Sequence, residues 1–220
     1  MRDTKSDESI EQQYREYLDD KRFPCIGAKA ALSRNHIKSI VLPHMACPSH
    51  DMEILQFIYN YVDQYRASTD LYHSAAVIFK GPLNVTENNF DELLWERLHS
   101  LSALDKKNFQ HDSRVDSDPA SARYSFSLKG EAFFIVGLHA ASSRRARQFK
   151  YPALIFNPHA EFEKLRAANR FIKMREVVRK RDVAYSGSIN PMLNDFNQTS
   201  EVYQYSGRQY PTDWICPLSK

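Results

Sequence analysis

The sequence is short of several things, and each shortage excludes a class of protein. Its 220 residues contain three cysteines, Cys25, Cys47 and Cys216, an odd and widely spaced set. Such a set does not read as the disulfide framework that staples small secreted domains. No run approaches the roughly 18 apolar residues of a membrane-spanning helix. The first twenty residues, MRDTKSDESIEQQYREYLDD, are polar and acidic and lack the apolar stretch and cleavage site of a secretory leader. The expectation is a cytoplasmic protein with no membrane segment, in which the N-x-T triplets at Asn84 and Asn197 are fortuitous. Charge of one sign is lacking too: 30 Lys and Arg against 27 Asp and Glu leave a net +3. Nucleic-acid binders concentrate cations on one face, so no nucleic-acid partner is expected. There is also no G-x-G-x-x-G, P-loop, G-x-S-x-G or C-x-x-C-H. Any redox chemistry here must borrow its electrons from an external donor or reductase.

Aromatic residues, by contrast, are plentiful: 13 Phe and 12 Tyr predict an aromatic-walled interior, either a core or a pocket. Residues 38–43, 73–80, 123–129, 131–138 and 151–156 read as strands, with Lys129-Gly130 as a hairpin turn. Between them, 51–68 and 87–108 carry apolar residues at three- and four-residue spacing, the mark of a helix with one buried face. Shorter helices are expected at 28–36, at the basic run SSRRARQF and at 171–180. Asn157-Pro158 opens another helix, with Asn as cap and Pro in the first turn. The polar segment 110–121 reads as an exposed loop, and the chain beyond Tyr185 as loops wrapping the body. The expected fold is α+β: one domain over 1–220, a mainly antiparallel sheet flanked by helices, with 1–20 a polar, solvent-facing N-terminal helix or extension.

Four constellations carry chemistry. His44-x-x-Cys47-x-x-His50 has ligand-like spacing but needs a distant fourth ligand to close a zinc site, and an ordinary loop is the simpler reading. In GLHAASSRRARQF, His139 follows a buried strand and precedes Arg144, Arg145 and Arg147. An imidazole beside clustered guanidinium groups suits a metal-bound cofactor that bears carboxylates, while a core histidine beside a solvated basic helix is the plain alternative. In FNPHAEFEKLR, His159 stands in a first helical turn, where the dipole favours its neutral, metal-binding form over a charged one, while a surface histidine beside a helix cap is the plainer alternative. Tyr203, Tyr205, Tyr210 and Trp214 cluster near the C-terminus and line either a cavity or a core.

The runs FPCIGAKAAL, GLHAASSRRARQF, FNPHAEFEKLR, SGSINPML, SEVYQYSGR and DWICPL, in that order from Phe23 to Leu218, resemble the YqcI/YcgG family. One departure is Ala140, where the resemblance leads one to expect proline. The resemblance implies a haem-dependent N-oxygenase that holds haem b and uses molecular oxygen to hydroxylate a nitrogen of a small basic substrate, such as an arginine-like amino acid. Carried onto this chain, it implies His139 as first choice of iron ligand, with His159 and the thiolates of Cys25 and Cys216 as alternatives. Arg144, Arg145 and Arg147 would face the propionates, and Tyr205, Arg208 and Trp214 would add to the haem pocket. Asn157, His159 and Asn190 would form the distal or substrate side. Glu131, Asp195 and Glu201 are candidate partners for a cationic substrate, and a homodimer is allowed. Two rivals stand beside it: a haem-binding or haem-sensing protein without turnover, and an interaction protein without cofactor.

Overall fold

Runs rich in β-branched and aromatic residues pair into a single five-stranded sheet. The computed structural model describes residues 4–192 and 198–219. The strands are β1 (Ile37–His44), β2 (Ser74–Gly81), β3 (Phe126–Leu128), β4 (Glu131–Leu138) and β5 (Ala153–Pro158), in the spatial order β1-β2-β5-β4-β3. β1 and β2 are parallel and the other three pairings antiparallel, so this is an α+β domain with a mostly antiparallel sheet. Lys129 (φ 53°) and Gly130 (φ 63°) both take left-handed backbone in the β3–β4 turn. Two successive positive φ values match the right-handed twist of a tight hairpin.

Alternation along the strands separates two cores. Leu42, Ala75, Val77, Phe79, Phe133, Ile135, Leu154 and Phe156 point to one face, against α3 (Asp51–Ala67) and α4 (Glu87–Asp105). Val41, Ala76, Ile78, Leu138, Ala153 and Ile155 point to the other. Full burial of each large side chain contributes roughly 1.5–3 kcal/mol. On this second face lie α1 (Thr4–Asp19), α2 (Ile26–Ser33), α5 (His159–Ala167) and α6 (Phe171–Ser186). The N-terminal helix is therefore not simply solvent-facing: Ile10, Tyr14 and Leu18 are buried, and Tyr14 meets Phe149 edge-on.

Two local expectations are corrected. SSRRARQF forms no helix, only one 3-10 turn at Arg145–Arg147, because the Arg147 side chain is drawn inward to backbone carbonyls. Asn157 is no helix cap either. β5 runs on through Pro158, with Asn157 opposite Phe134, and its amide donates to the Phe134 carbonyl at 3.2 Å. The loop 110–121 has no regular element, but Asp112 within it is buried and salt-bridged to Arg114.

On the first face, α3 and α4 are pinned by the buried Asp51–Arg97 pair, with Ser100 also donating to Asp51 and Arg97 capping the Met45 carbonyl. α4 comes closest to the sheet at Gly137, where an added Cβ would lie 2.7 Å from both Leu94 and Phe90. Gly137→Ala is expected to cost roughly 1–3 kcal/mol by overpacking. Urea denaturation measures this, and an unchanged midpoint would mean that α4 can move away freely.

Candidate functional site

The second face of the sheet is not completely filled. Beside the α1–α2 core, a cavity of about 300 Å³ opens between the sheet and helices α2, α5 and α6. Its floor comes from Phe134 and Val136 of β4, Asn157 of β5 and Ser74 of β2, all on the same side of the pleat. α6 presents Phe171, Met174, Arg175, Val178 and Arg179 to it, a helical stripe of spacing three and four. The volume sits at the lower end of the roughly 300–1,000 Å³ usual for small-molecule and cofactor sites.

Three ionisable groups of α5 and its neighbours shape this cavity. His159, the first residue of α5, is buried, and that burial lowers its imidazole to about 4, so it is neutral at physiological pH. Two residues on, the buried Glu161 accepts hydrogen bonds from the Tyr72 and His73 backbone amides at 3.0 and 2.8 Å, and its Oε1 lies 2.9 Å from His73 Nδ1. Burial nevertheless pushes its carboxyl up to about 7. His73 in turn stacks flat on His36, with ring centroids 4.4 Å apart. Asn157 joins the same wall through Ser74, whose hydroxyl donates to its Oδ1 at 3.0 Å.

Glu201 enters from the C-terminal segment, in a 3-10 turn over Glu201–Gln204. It is 7% exposed, lines the cavity, and burial raises its carboxyl to about 8. Tyr205 does not line the cavity but donates its hydroxyl to Glu201 at 2.5 Å. Cys25 also reaches the wall. Its thiol accepts from the Ala28 amide and caps α2, and burial raises its pKa, so it is held as a thiol rather than a thiolate.

Other expected site residues lie elsewhere. His139 follows β4 in phase with Phe133 and Ile135, so it belongs to the α3–α4 face, opposite the cavity. It is fully buried and stacked on Phe90 at 4.2 Å, and neither ring nitrogen makes a hydrogen bond among the described residues. Burial lowers it to about 4 as well. Arg144 pairs with Asp182 at 2.6 Å, Arg145 is exposed over the Tyr185 ring, and Arg147 is buried on carbonyls. The three cations expected together at a cofactor edge therefore have separate structural tasks. Asn190 closes a local turn by accepting from the Met192 amide. Arg208 pairs with Asp91, and Trp214 stacks on Tyr210 at 3.8 Å, both packed against α4. Cys216 is buried in that core, with its thiol raised to about 11.

Glu131 pairs with Arg66 and Arg114, and Asp195 lies outside the described residues. His44, Cys47 and His50 find separate local partners in the Ala46 amide, Ser49 and Glu53. Among the described residues no group of three His, Cys, Asp or Glu could hold a metal ion by itself. No described helix is long and apolar enough to cross a membrane. Glu161, His73 and the α6 arginines were not among the expected site residues. Two signals pointed toward them: the arginines' four-residue spacing, and the position of Glu161 two residues from His159.

The segments that build the cavity, from Cys25 to Gln204, fall within a match to the YqcI/YcgG family that covers residues 14–219. The chain belongs to the YqcI/YcgG family. Two relatives come from Bacillus subtilis (strain 168). The uncharacterised protein YqcI is 28% identical over 199 residues, spanning 84% of this chain and 77% of its own. The uncharacterised protein YcgG is 27% identical over 184 residues, spanning 80% and 71%. No solved structure matches the chain. Both relatives are named only as uncharacterised, so neither name assigns a chemistry to this YqcI/YcgG protein.

Both depressed histidines link folding to pH. An imidazole whose folded value falls from 6.5 to about 4 contributes stability that is complete above 6.5 and lost as pH falls through about 4. His139→Phe keeps the ring stacked on Phe90 and removes one of the two. Its urea midpoint is expected to fall less between pH 6.5 and 4 than that of the parent. An equal fall in both proteins would show that His139 titrates normally.

Proposed function

We propose that the cavity under α5 and α6 is a haem site, and that the protein is a haem-dependent oxygenase acting on a nitrogen of a small basic substrate. The observation that carries this reading is the buried, neutral His159 on the wall of a largely apolar cavity. Neutral imidazole is the form that ligates iron. Phe134, Val136, Phe162 and Phe171 offer the flat apolar surface that a porphyrin covers, and Arg175 and Arg179, one turn apart on α6, suit its two carboxylates. The residues present fit the group. The fit moves the assignment of ligand from His139 to His159, and of carboxylate partners from Arg144, Arg145 and Arg147 to the α6 pair.

When bound, haem supplies oxygen activation: one O₂, two electrons and two protons place one oxygen atom on the nitrogen and release the other as water. The protein's part is placement. α5 holds His159 at the start of a helix that is anchored by Glu161 on the Tyr72 and His73 amides. Asn157, fixed by Ser74 and the Phe134 carbonyl, offers a rigid polar contact on the cavity floor. Molecular oxygen and an external electron donor complete the reaction, in keeping with the missing dinucleotide motif.

A second ligand reading is favoured by one observation, the fully buried His139 with both nitrogens unbonded. Haem titration followed by absorption spectroscopy separates the two. The parent is expected to give an intense Soret band at one haem per chain, His159→Ala to lose or shift it, and His139→Ala to keep it. The reverse result moves the ligand to His139, and no stoichiometric uptake by folded protein removes the oxygenase reading. Reductant- and oxygen-dependent hydroxylation, screened on arginine and related amines, then distinguishes an enzyme from a haem store or sensor.

A further inference from the structure

The C-terminal segment brings to the cavity a carboxyl whose geometry is lopsided. Oε1 of Glu201 accepts from Ser125 Oγ at 2.7 Å and from the Tyr205 hydroxyl at 2.5 Å, while Oε2 accepts no hydrogen bond among the described residues. Tyr205 is itself fully buried, and its oxygen also accepts from the Phe126 amide at 3.0 Å, so the clamp on Oε1 is rigid. With both hydroxyls donating to Oε1, Oε2 is the atom left for a proton or for a ligand.

Among the described residues no lysine, arginine or histidine is hydrogen-bonded or ion-paired to Glu201. Tyr124 and Tyr205 are held neutral by burial, and His73 and His159 are also lowered. Glu161 is occupied by two backbone amides and faces His73. Arg166 of α5 acts on Glu201 electrostatically, but its guanidinium is bonded to Glu163 and lies over the Phe171 ring. Arg175 and Arg179 line the α6 wall.

We propose that Glu201 receives the cationic nitrogen group of the substrate, giving up the proton on its free oxygen to solvent as the ligand's N–H donors take that place. The proposal rests on the cavity being the substrate site of the preceding reading. Balance is simple: protonated carboxyl plus cation gives an ion pair and one released proton, with no bond formed or broken in the ligand. Because burial holds the empty carboxyl at about 8, release is expected near pH 7 and disappears once the pH is well above 8. Glu131 is excluded from this part by its two arginine partners.

The test is titration calorimetry of the full chain, with and without haem, using methylguanidinium and its neutral isostere methylurea. Running each titration in buffers of different ionisation enthalpy counts protons. Methylguanidinium is expected to release about 0.9 proton per site at pH 7, the protonated fraction for a group at about 8, and almost none at pH 9.5. Methylurea should bind at least about tenfold more weakly, the loss typical of a charged hydrogen bond. Glu201→Gln keeps an acceptor for Ser125 and Tyr205, so it should fold and take up haem like the parent. It should nevertheless lose proton release and at least about tenfold in methylguanidinium affinity.

Binding without proton release, equal binding by Glu201→Gln, or no binding by the parent would each overturn the assignment. The two readings fail separately. Haem uptake with methylguanidinium binding indifferent to Glu201→Gln removes Glu201 alone. Proton-linked binding by a protein that never takes up haem removes the oxygenase reading and leaves Glu201 in place.

Discussion

The architecture of the site hangs on the guanidinium of Arg147. It is buried and donates to the carbonyls of Gln204 at 2.6 Å and Tyr205 at 2.8 Å, with a longer contact to Gly137 at 3.4 Å. Those carbonyls belong to the end of β4 and to the C-terminal segment, and the Gly137 amide donates back to Tyr205 at 2.7 Å. β3 is only three residues long, so this segment covers the edge of β4 that β3 leaves bare. A cation buried on carbonyl dipoles is costly to desolvate, which is why burial brings Arg147 down to about 10. Gly207 leaves room for it: a Cβ there would come within 2.6 Å of the Arg147 Cδ, at a φ of +90°.

Charge in the cavity obeys one rule. Burial suppresses ionisation of both acids and bases, so the imidazoles of His73 and His159 drop while the carboxyls of Glu161 and Glu201 rise. Near neutral pH the wall presents hydrogen-bonding groups that are largely uncharged, with the guanidinium groups of α6 as its fixed charges. Under the proposed reading, such a chamber would offer a neutral imidazole to a metal and would let an incoming group set the ionisation of its partner. The aromatic wealth of the sequence is divided accordingly. Phe133 and Phe156 fill a core, while Phe134 faces the cavity, and alternation along the strand makes that division.

Much of the fold was legible because its signals are local. The β-branched run at 37–44, the apolar spacing of α3 and α4 and the Lys129-Gly130 turn all act within a few residues. What escaped depends on distant partners. Arg, Ala and Gln make SSRRARQF look helical, but carbonyls some 57 residues away claim Arg147 and win. Asn-Pro resembles a helix cap until β4 pairs with Asn157. The site was half legible: His159, Asn157, Glu201 and Cys25 reach the cavity, whereas His139 and its arginines do not. Strand parity places His139 with Ile135 and Gly137, yet only knowledge of which helices cover each face reveals that the cavity lies on the other one.

The C-terminal segment belongs to both sides of the sheet at once. Val202, Tyr205 and Tyr210 are embedded in the core beneath α4, while Glu201 and Gln204 border the cavity. The sheet otherwise acts as a partition, with each layer of side chains packing only against its own helices. This strap is a crossbar through that partition. Within the single 3-10 turn Glu201–Gln204, the side chains divide between the α4 layer and the cavity rim. Two cores that share no strand-facing side chain are in this way mechanically one body.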